Sequence, residues 1–342
     1  MLTDYLLCLF STNRRRYQAI YYTLVGKRTT SNLYAALDYQ LLKWFQIYPN
    51  LELAQFQAEL KKLVELKWLE MDERFAWLTA KGVQQKQRLA SSLIWPNHYN
   101  GPQMGKLATF ENQLRLAIQI TSEFAHRNMQ YYPLAVTMHE RVKVVYWFKQ
   151  HKAEANFTKS IEAELKQLFQ LLDPSQANLI ANRLVGYQTL GQSLQQLAQL
   201  EKSDELTIHI RVIDGFAQLF TILMQATNQL PLLADLMPTE TPQLSQSTAQ
   251  TWQLLQAGQT VAQISQQRRV KIGTIKEHLL EIAMLLPNFP FEHYQRYASE
   301  LTALFRLAPT ISFQEVQTKI PAIDFFDYRL YQIQLKVAQM HD

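Results

Sequence analysis

A chain of 342 residues that is 47% hydrophobic, 11% aromatic and only 18% charged is long enough for two or three domains and too apolar to be disordered. Nine glycines are too few for the phosphate loops and tight turns of nucleotide-binding parallel sheets or all-β sandwiches. The 39 glutamines suit exposed helix positions that Lys and Glu usually fill, so the expected class is all-α: mainly helical, with one small β-hairpin wing. The net charge of +5 is modest but unevenly placed. Arg14, Arg15, Arg16, Lys27 and Arg28 face only Asp4 within the first 31 residues, and Arg268, Arg269, Lys271 and Lys276 form a second basic run. Local basic patches matter more than the total for polyanion binding, because each neutralised phosphate releases a counterion.

Cys8 is the one cysteine, which excludes an intrachain disulfide or a cysteine-based metal site and fits a reducing, cytoplasmic setting. Met1 to Phe10 is apolar but carries Asp4 and lacks a basic leader, so it does not read as a secretory signal. Apolar stretches fall short of the ~20 residues that cross a bilayer, and no membrane contact is expected.

In chain order, Leu33, Leu37, Leu41, Trp44 and Phe45 fall at helical spacing up to Pro49, and Asn50 is placed to cap a second helix with the stripe Phe56, Leu60, Leu63, Val64. Trp68 to Met71 and Arg74 to Leu78 alternate as two short strands around an Asp72-Glu73 turn, and Thr79 opens another helix. This is the order of a winged helix-turn-helix over residues 1–95. Its second helix begins with Glu52, Gln55 and Glu59, which repel phosphates, so DNA contact and protein docking both stay open for this module. Ser91 to Gly105 collects turn formers and reads as a joint.

Helices are expected at about 107–129, 134–151, 155–172 and 174–185, the last capped by Asp173 ahead of Pro174 and closed by Gly186. Ser193 and Gln196 form a capping box, and Ser203 can cap the next helix. Asp204 and Glu205 open that helix where a DNA reader wants basic or amide groups. The 106–238 region therefore reads as a bundle that presents a face to another protein. Thr239 to Ser247 reads as a second joint.

Residues 246–342 carry the sharpest pattern. Ser247 to Gln250 reads as a capping box, Trp252 and Leu255 face inward, and Gly258 ends the helix. Thr260 to Gln263 caps a second helix that buries Val261 and Ile264, and a third runs from Ile272 to Met284 with Ile275 and Leu279 inward. Helices this short must share one core, which leaves the start of the third free, as in a recognition helix. Arg268, Arg269, Lys271 and Lys276 surround that start, Thr274 and Lys276 are placed for base edges or backbone, and His278 for a phosphate or for the interior. Ile272 and Gly273 lack hydrogen-bonding side chains, so binding should be largely sequence-independent.

The pattern Gly258-Gln-Thr-Val-Ala-Gln-Ile264, Arg268, Val270 and Thr274-Ile-Lys-Glu-His-Leu279 resembles the helix-turn-helix module near the C-terminus of some RecQ-type helicases, a module that also ends the bacterial YpbB-type proteins. Gln317 to Leu330 is similar to its closing helix pair. The resemblance implies a partner: YpbB-type proteins are encoded beside a RecQ-like helicase. Lys271 stands where a helix-capping Ser is usual and Ser265 where a small apolar residue is usual, which implies a looser helix start.

RecQ-type helicases carry two ATPase lobes, and these 342 residues contain no phosphate loop. Gly26-Lys27-Arg28-Thr29 imitates one, but Arg28 takes the position of the metal-binding hydroxyl. The histidines lack metal-site spacing, no nucleophile motif stands out, and Asp324 and Asp327 read as helix caps. The expectation is a non-enzymatic DNA-binding accessory protein with no cofactor, partnered by a RecQ-like helicase. The alternative is a winged-helix transcriptional regulator.

Overall fold

The apolar N-terminal decapeptide is a core helix in the computed structural model, which describes residues 1–237 and 243–341. Helix α1 (Leu2–Leu9) buries Tyr5, Leu6, Leu7 and Leu9. Strand β1 (Arg15–Arg16) leads into α2 (Tyr17–Val25), Gly26 takes φ +78°, and α3 (Thr30–Asp38) starts with the Thr29 side chain accepting from the Asn32 N–H. Gly26-Lys27-Arg28-Thr29 is thus the turn between two helices. After α4 (Leu53–Glu65), β2 (Leu69–Met71) and β3 (Phe75–Leu78) form the wing, and α5 (Ala80–Ala90) follows, capped by Thr79. The sheet order is β1-β3-β2, with Arg15 opposite Ala76 and Leu69 opposite Leu78.

Two details depart from the sequence reading. Asn50 does not cap α4; Glu52 stands at that position and makes no side-chain capping bond. The stripe from Leu33 to Phe45 is not one helix: α3 stops at Asp38, Gln40 turns left-handed at φ +58°, and Leu42–Trp44 form a 3-10 turn. The break has a packing reason. Leu33, Leu37 and Leu41, spaced by four, would share one face of a continuous helix, yet Leu33 and Leu37 join one apolar core and Leu41 and Trp44 another.

The first core runs on into the middle of the chain. There α6 (Leu107–Ala125), α7 (Met138–His151), α8 (Phe157–Gln170), α9 (Pro174–Ala181), α10 (Leu194–Leu200), α11 (Glu205–Gln225) and α12 (Pro231–Ala234) form a bundle. Asp173 and the Ser193/Gln196 box cap α9 and α10 as expected, but Asp204 rather than Ser203 caps α11. Helix α9 ends at Ala181, and Gly186 instead bridges to Thr189. Helix α11 is long and apolar enough to cross a membrane by length and composition. In this structure it is the central core helix, burying Ile208, Val212, Phe216, Leu219 and Leu223.

The segment from Ser91 to Gly105 is irregular yet tightly held. The Tyr99 hydroxyl donates to the Phe45 carbonyl at 2.6 Å, the His98 and Tyr99 N–H groups reach Asp214, and Trp95 packs edge-on to Trp44. The last part comprises α13 (Gln246–Gln256), α14 (Val261–Arg268), α15 (Ile272–Leu285), α16 (Phe291–Tyr294), α17 (Ala298–Leu307), α18 (Phe313–Lys319) and α19 (Phe325–His341). Of the second joint, residues 239–242 lie outside the described residues, while Leu244 is buried and Ser245 caps α13. The capping box expected at Ser247 does not form; the helix instead starts two residues earlier, with the Ser245 side chain accepting from the Thr248 N–H.

The second core belongs to both ends of the chain. Leu33, Ala36, Leu37, Leu42 and Phe45 pack with Leu279, Leu280, Ile282, Ala283, Met284, Leu330 and Ile333. Arg28 reinforces this seam: its Nε donates to Glu281 Oε1 at 2.8 Å and an Nη reaches the Gln243 carbonyl. Glu281 also accepts from the Ser245 N–H and the Thr248 hydroxyl. The C-terminal helices are thus seated on the winged module rather than hung from a flexible tether.

Candidate nucleic-acid interface

The α14–α15 turn is built by local chemistry. Thr260 and Gln263 cap each other at the head of α14, and Ile264 is fully buried beneath it. At its end Arg269 adopts φ +53°, a region costly for a residue with a Cβ. Two bonds hold it there: the Val270 N–H donates to the Ser265 carbonyl at 3.1 Å, and the Ser265 hydroxyl donates to the Val270 carbonyl at 2.6 Å. Ser265, expected to loosen the unit, instead clamps the turn. Lys271 then occupies the N-cap of α15 without a side-chain capping bond, so the first-turn N–H groups keep their outward positive end.

The head of α15 projects from the protein. Lys271, Ile272 and Gly273 are exposed, Thr274 is half-buried, and a Cβ added at Gly273 would meet nothing within 4 Å. Below this first turn the helix disappears into the molecule, with every residue from His278 to Leu285 buried. Beyond the tip, only Lys276 and Glu277 of the helix up to Leu285 retain exposure.

The six residues assigned from sequence therefore separate. Arg269 and Lys271 are exposed and carry no ion-pair partner among the described residues, with Thr274 beside them. Arg268 lies elsewhere in function: its guanidinium donates to the Ser247 carbonyl at 2.8 Å and hydroxyl at 2.9 Å, and to Thr251 and Gln250, tying α14 to the first turns of α13. Lys276 pairs with Asp324 and lies 5.3 Å from the Phe326 ring centre. His278 is buried, with Nδ1 2.7 Å from the Thr251 hydroxyl. Burial, and then the nearby Arg268 charge, push its pKa down, so the neutral ring is favoured. Arg268, Lys276 and His278 are structural here because each found a tertiary partner.

Asp324 shows the strength of that arrangement. Burial works to raise its pKa, but the Lys276 ammonium and the Asp327 N–H outweigh it and hold the carboxyl at about 2. Its other oxygen accepts from the Asp327 N–H at 3.0 Å, closing the first turn of α19, and Arg296 reaches both Asp327 and Asp324. The two carboxylates are cap and counter-ion.

The N-terminal basic residues Arg14, Arg15, Arg16, Lys27 and Arg28 take up separate partners. Arg14 pairs with Asp72 on the wing and lies 4.6 Å over Trp77. Arg15 reaches the Leu9 carbonyl and stacks on Tyr39, and burial lowers its pKa. Arg16 faces Ser31 at 3.4 Å, Lys27 lies over Tyr22, and Arg28 is consumed by Glu281. Helix α3, which follows the α2–α3 turn, buries Leu33, Ala36 and Leu37 against α15 and α19, while α4, the helix ahead of the wing, leaves Glu52 and Gln55 exposed at its start.

Comparison with known proteins agrees with this layout. A family model described as a helix-turn-helix domain matches residues 247–332, the stretch from the start of α13 into α19. The chain is 26% identical over 297 residues to Protein YpbB of Bacillus subtilis (strain 168), covering 84% of this chain and 83% of that protein. No solved structure matches. The chain thus carries a C-terminal helix-turn-helix domain and is similar to YpbB through most of its length.

Proposed function

We propose that this chain is a non-enzymatic accessory protein that holds DNA through the tip of α15 and docks a RecQ-like helicase through its N-terminal and middle parts. The observation that carries the DNA half is the pair Arg269 and Lys271, free and adjacent at an uncapped helix start inside a helix-turn-helix domain. Two free cations, one partly buried hydroxyl and a glycine supply phosphate contacts and little base discrimination. Binding is therefore weak, salt-sensitive and largely indifferent to sequence.

The helicase half rests on the likeness of the 258–279 pattern to the RecQ-type module. In this reading strand separation falls to the partner, and the chain raises the partner's effective concentration on DNA. A sequence-reading regulator is the weaker alternative, since α4, the helix ahead of the wing, opens with Glu52, Gln55 and Glu59, which repel phosphates. Selection from random duplexes with the full chain tests this: a flat profile is expected, and a tight consensus would favour the regulator. Co-elution of the two purified proteins, or stimulation of unwinding, tests the partner; neither occurring would remove it.

A further inference from the structure

Helix α7 displays an apolar stripe to solvent. Met138, Val142 and Tyr146 are 74%, 59% and 62% exposed, and their spacing of four places them on one side. The loop ahead of α7 is held against α6: Gln119 bonds the Tyr132 carbonyl and the Leu134 N–H, leaving the Tyr132 side chain 97% exposed. The opposite face of α7 is fixed. Trp147 donates to the Leu232 carbonyl at 2.9 Å, Val144 is buried, and Thr137 and Glu140 form a capping box. The stripe is therefore a rigid, preformed surface about 12 Å long, two helical turns.

The charged side chains beside the stripe are cations, while the exposed acids Glu154 and Asp235 are turned to His151 at the end of α7. Arg141 and Lys149 flank the stripe, exposed and without an ion-pair partner among the described residues. The acids of the same stretch, Glu123 and Glu140, are buried, Glu140 in the capping box and Glu123 with the Asn128 amide. Apolar anchors at helical spacing inside a cationic border fit an acidic amphipathic protein segment that lays its apolar face on α7 and its carboxylates against Arg141 and Lys149. We infer that the α7 face is the docking surface for such a segment. This deepens the docking part of the function proposed above and rests on that reading.

The test uses the full chain and a fluorescein-labelled synthetic peptide of about four helical turns, with Leu and Phe at i, i+4 and i+8 and Glu and Asp between them. A scrambled peptide of equal composition and a labelled single-stranded oligonucleotide serve as comparisons. The amphipathic peptide should bind at least about tenfold more tightly than the scramble, and Val142→Glu with Tyr146→Glu should remove that preference. Arg141→Glu with Lys149→Glu should weaken binding most at low salt. Both pairs are solvent-facing, and an unchanged Tm shows that the fold persists. Equal binding of peptide and scramble, or insensitivity to Val142→Glu with Tyr146→Glu, would overturn the inference. So would oligonucleotide binding or self-association that those substitutions abolish, since the face would then belong to nucleic acid or to a second copy. If the helicase co-elutes equally with wild type and the Val142→Glu, Tyr146→Glu variant, the face assignment fails and the proposed function stands. If it never co-elutes while the peptide binds as expected, the helicase reading fails and the surface stands.

Discussion

Of the four cations around the α14–α15 turn, two point to solvent and two are tied inward, and a double substitution in each pair should give opposite results. Replacing Arg269 and Lys271 with Ala removes the two exposed charges without touching a bond of the core. Each phosphate contact contributes about 0.9 to the slope of log affinity against log salt, so losing two should flatten that slope by about 1.8. The same relation gives an affinity loss of about 200-fold near 50 mM salt and about 30-fold near 150 mM, vanishing toward 1 M. Replacing Arg268 and Lys276 instead should leave the slope nearly unchanged and lower stability, because Arg268 bonds Ser247, Thr251 and Gln250 and Lys276 pairs with Asp324. Fluorescence anisotropy on a labelled duplex over a salt series, with thermal melts of each variant, reads both effects. A slope that moves with Arg268 and Lys276 but not with Arg269 and Lys271 would refute the assignment of the free tip.

Three further outcomes are expected. Gly273→Ala adds a methyl group into open space and should stabilise α15 by about 0.5–1 kcal/mol; a simultaneous fall in DNA affinity would show close backbone approach to a phosphate, and a melt below wild type would refute the open-space argument. Arg28→Ala leaves the largely buried Glu281 carboxylate without its cation and should cost about 2–4 kcal/mol, visible in chemical denaturation and as new proteolytic cleavage between the two ends of the chain; a loss below about 0.5 kcal/mol would mean the seam does not depend on this pair. His278 has a depressed pKa in the fold, so its stabilising contribution is present above its unfolded value of about 6.5 and is lost as pH falls toward the folded value. His151 runs the other way: burial opposes its protonation, but Glu154 and Asp235 prevail and raise its pKa, so its contribution is present below about pH 6.5 and is lost as pH rises through the folded value. His278→Gln should flatten the acid limb of Tm against pH and His151→Gln should not.

Local features of this fold were readable because each is encoded within four or so residues. The Thr260/Gln263 box, the Asp173-Pro174 start and the alternation from Leu69 to Leu78 all appear where periodicity and capping chemistry place them. What escaped was set by distant partners. Strand β1 is two arginines long, too short to show any alternation, and it is a strand only because β3 lies beside it. Both cores use the Leu33–Phe45 stretch, so its apolar spacing mixed two packing directions and read as one continuous helix. The six residues assigned to the candidate site divide by the same rule. Arg268 and Arg269 are neighbours with identical side chains, yet the first points at α13 and the second, set left-handed by the Ser265 clamp, points at solvent. Lys276 was lost to an aspartate 48 positions away. A basic run in sequence therefore states how much positive charge is nearby, while the acids and carbonyls folded against it decide how much is left for a phosphate; here Arg269 and Lys271 stay exposed and meet no acid among the described residues.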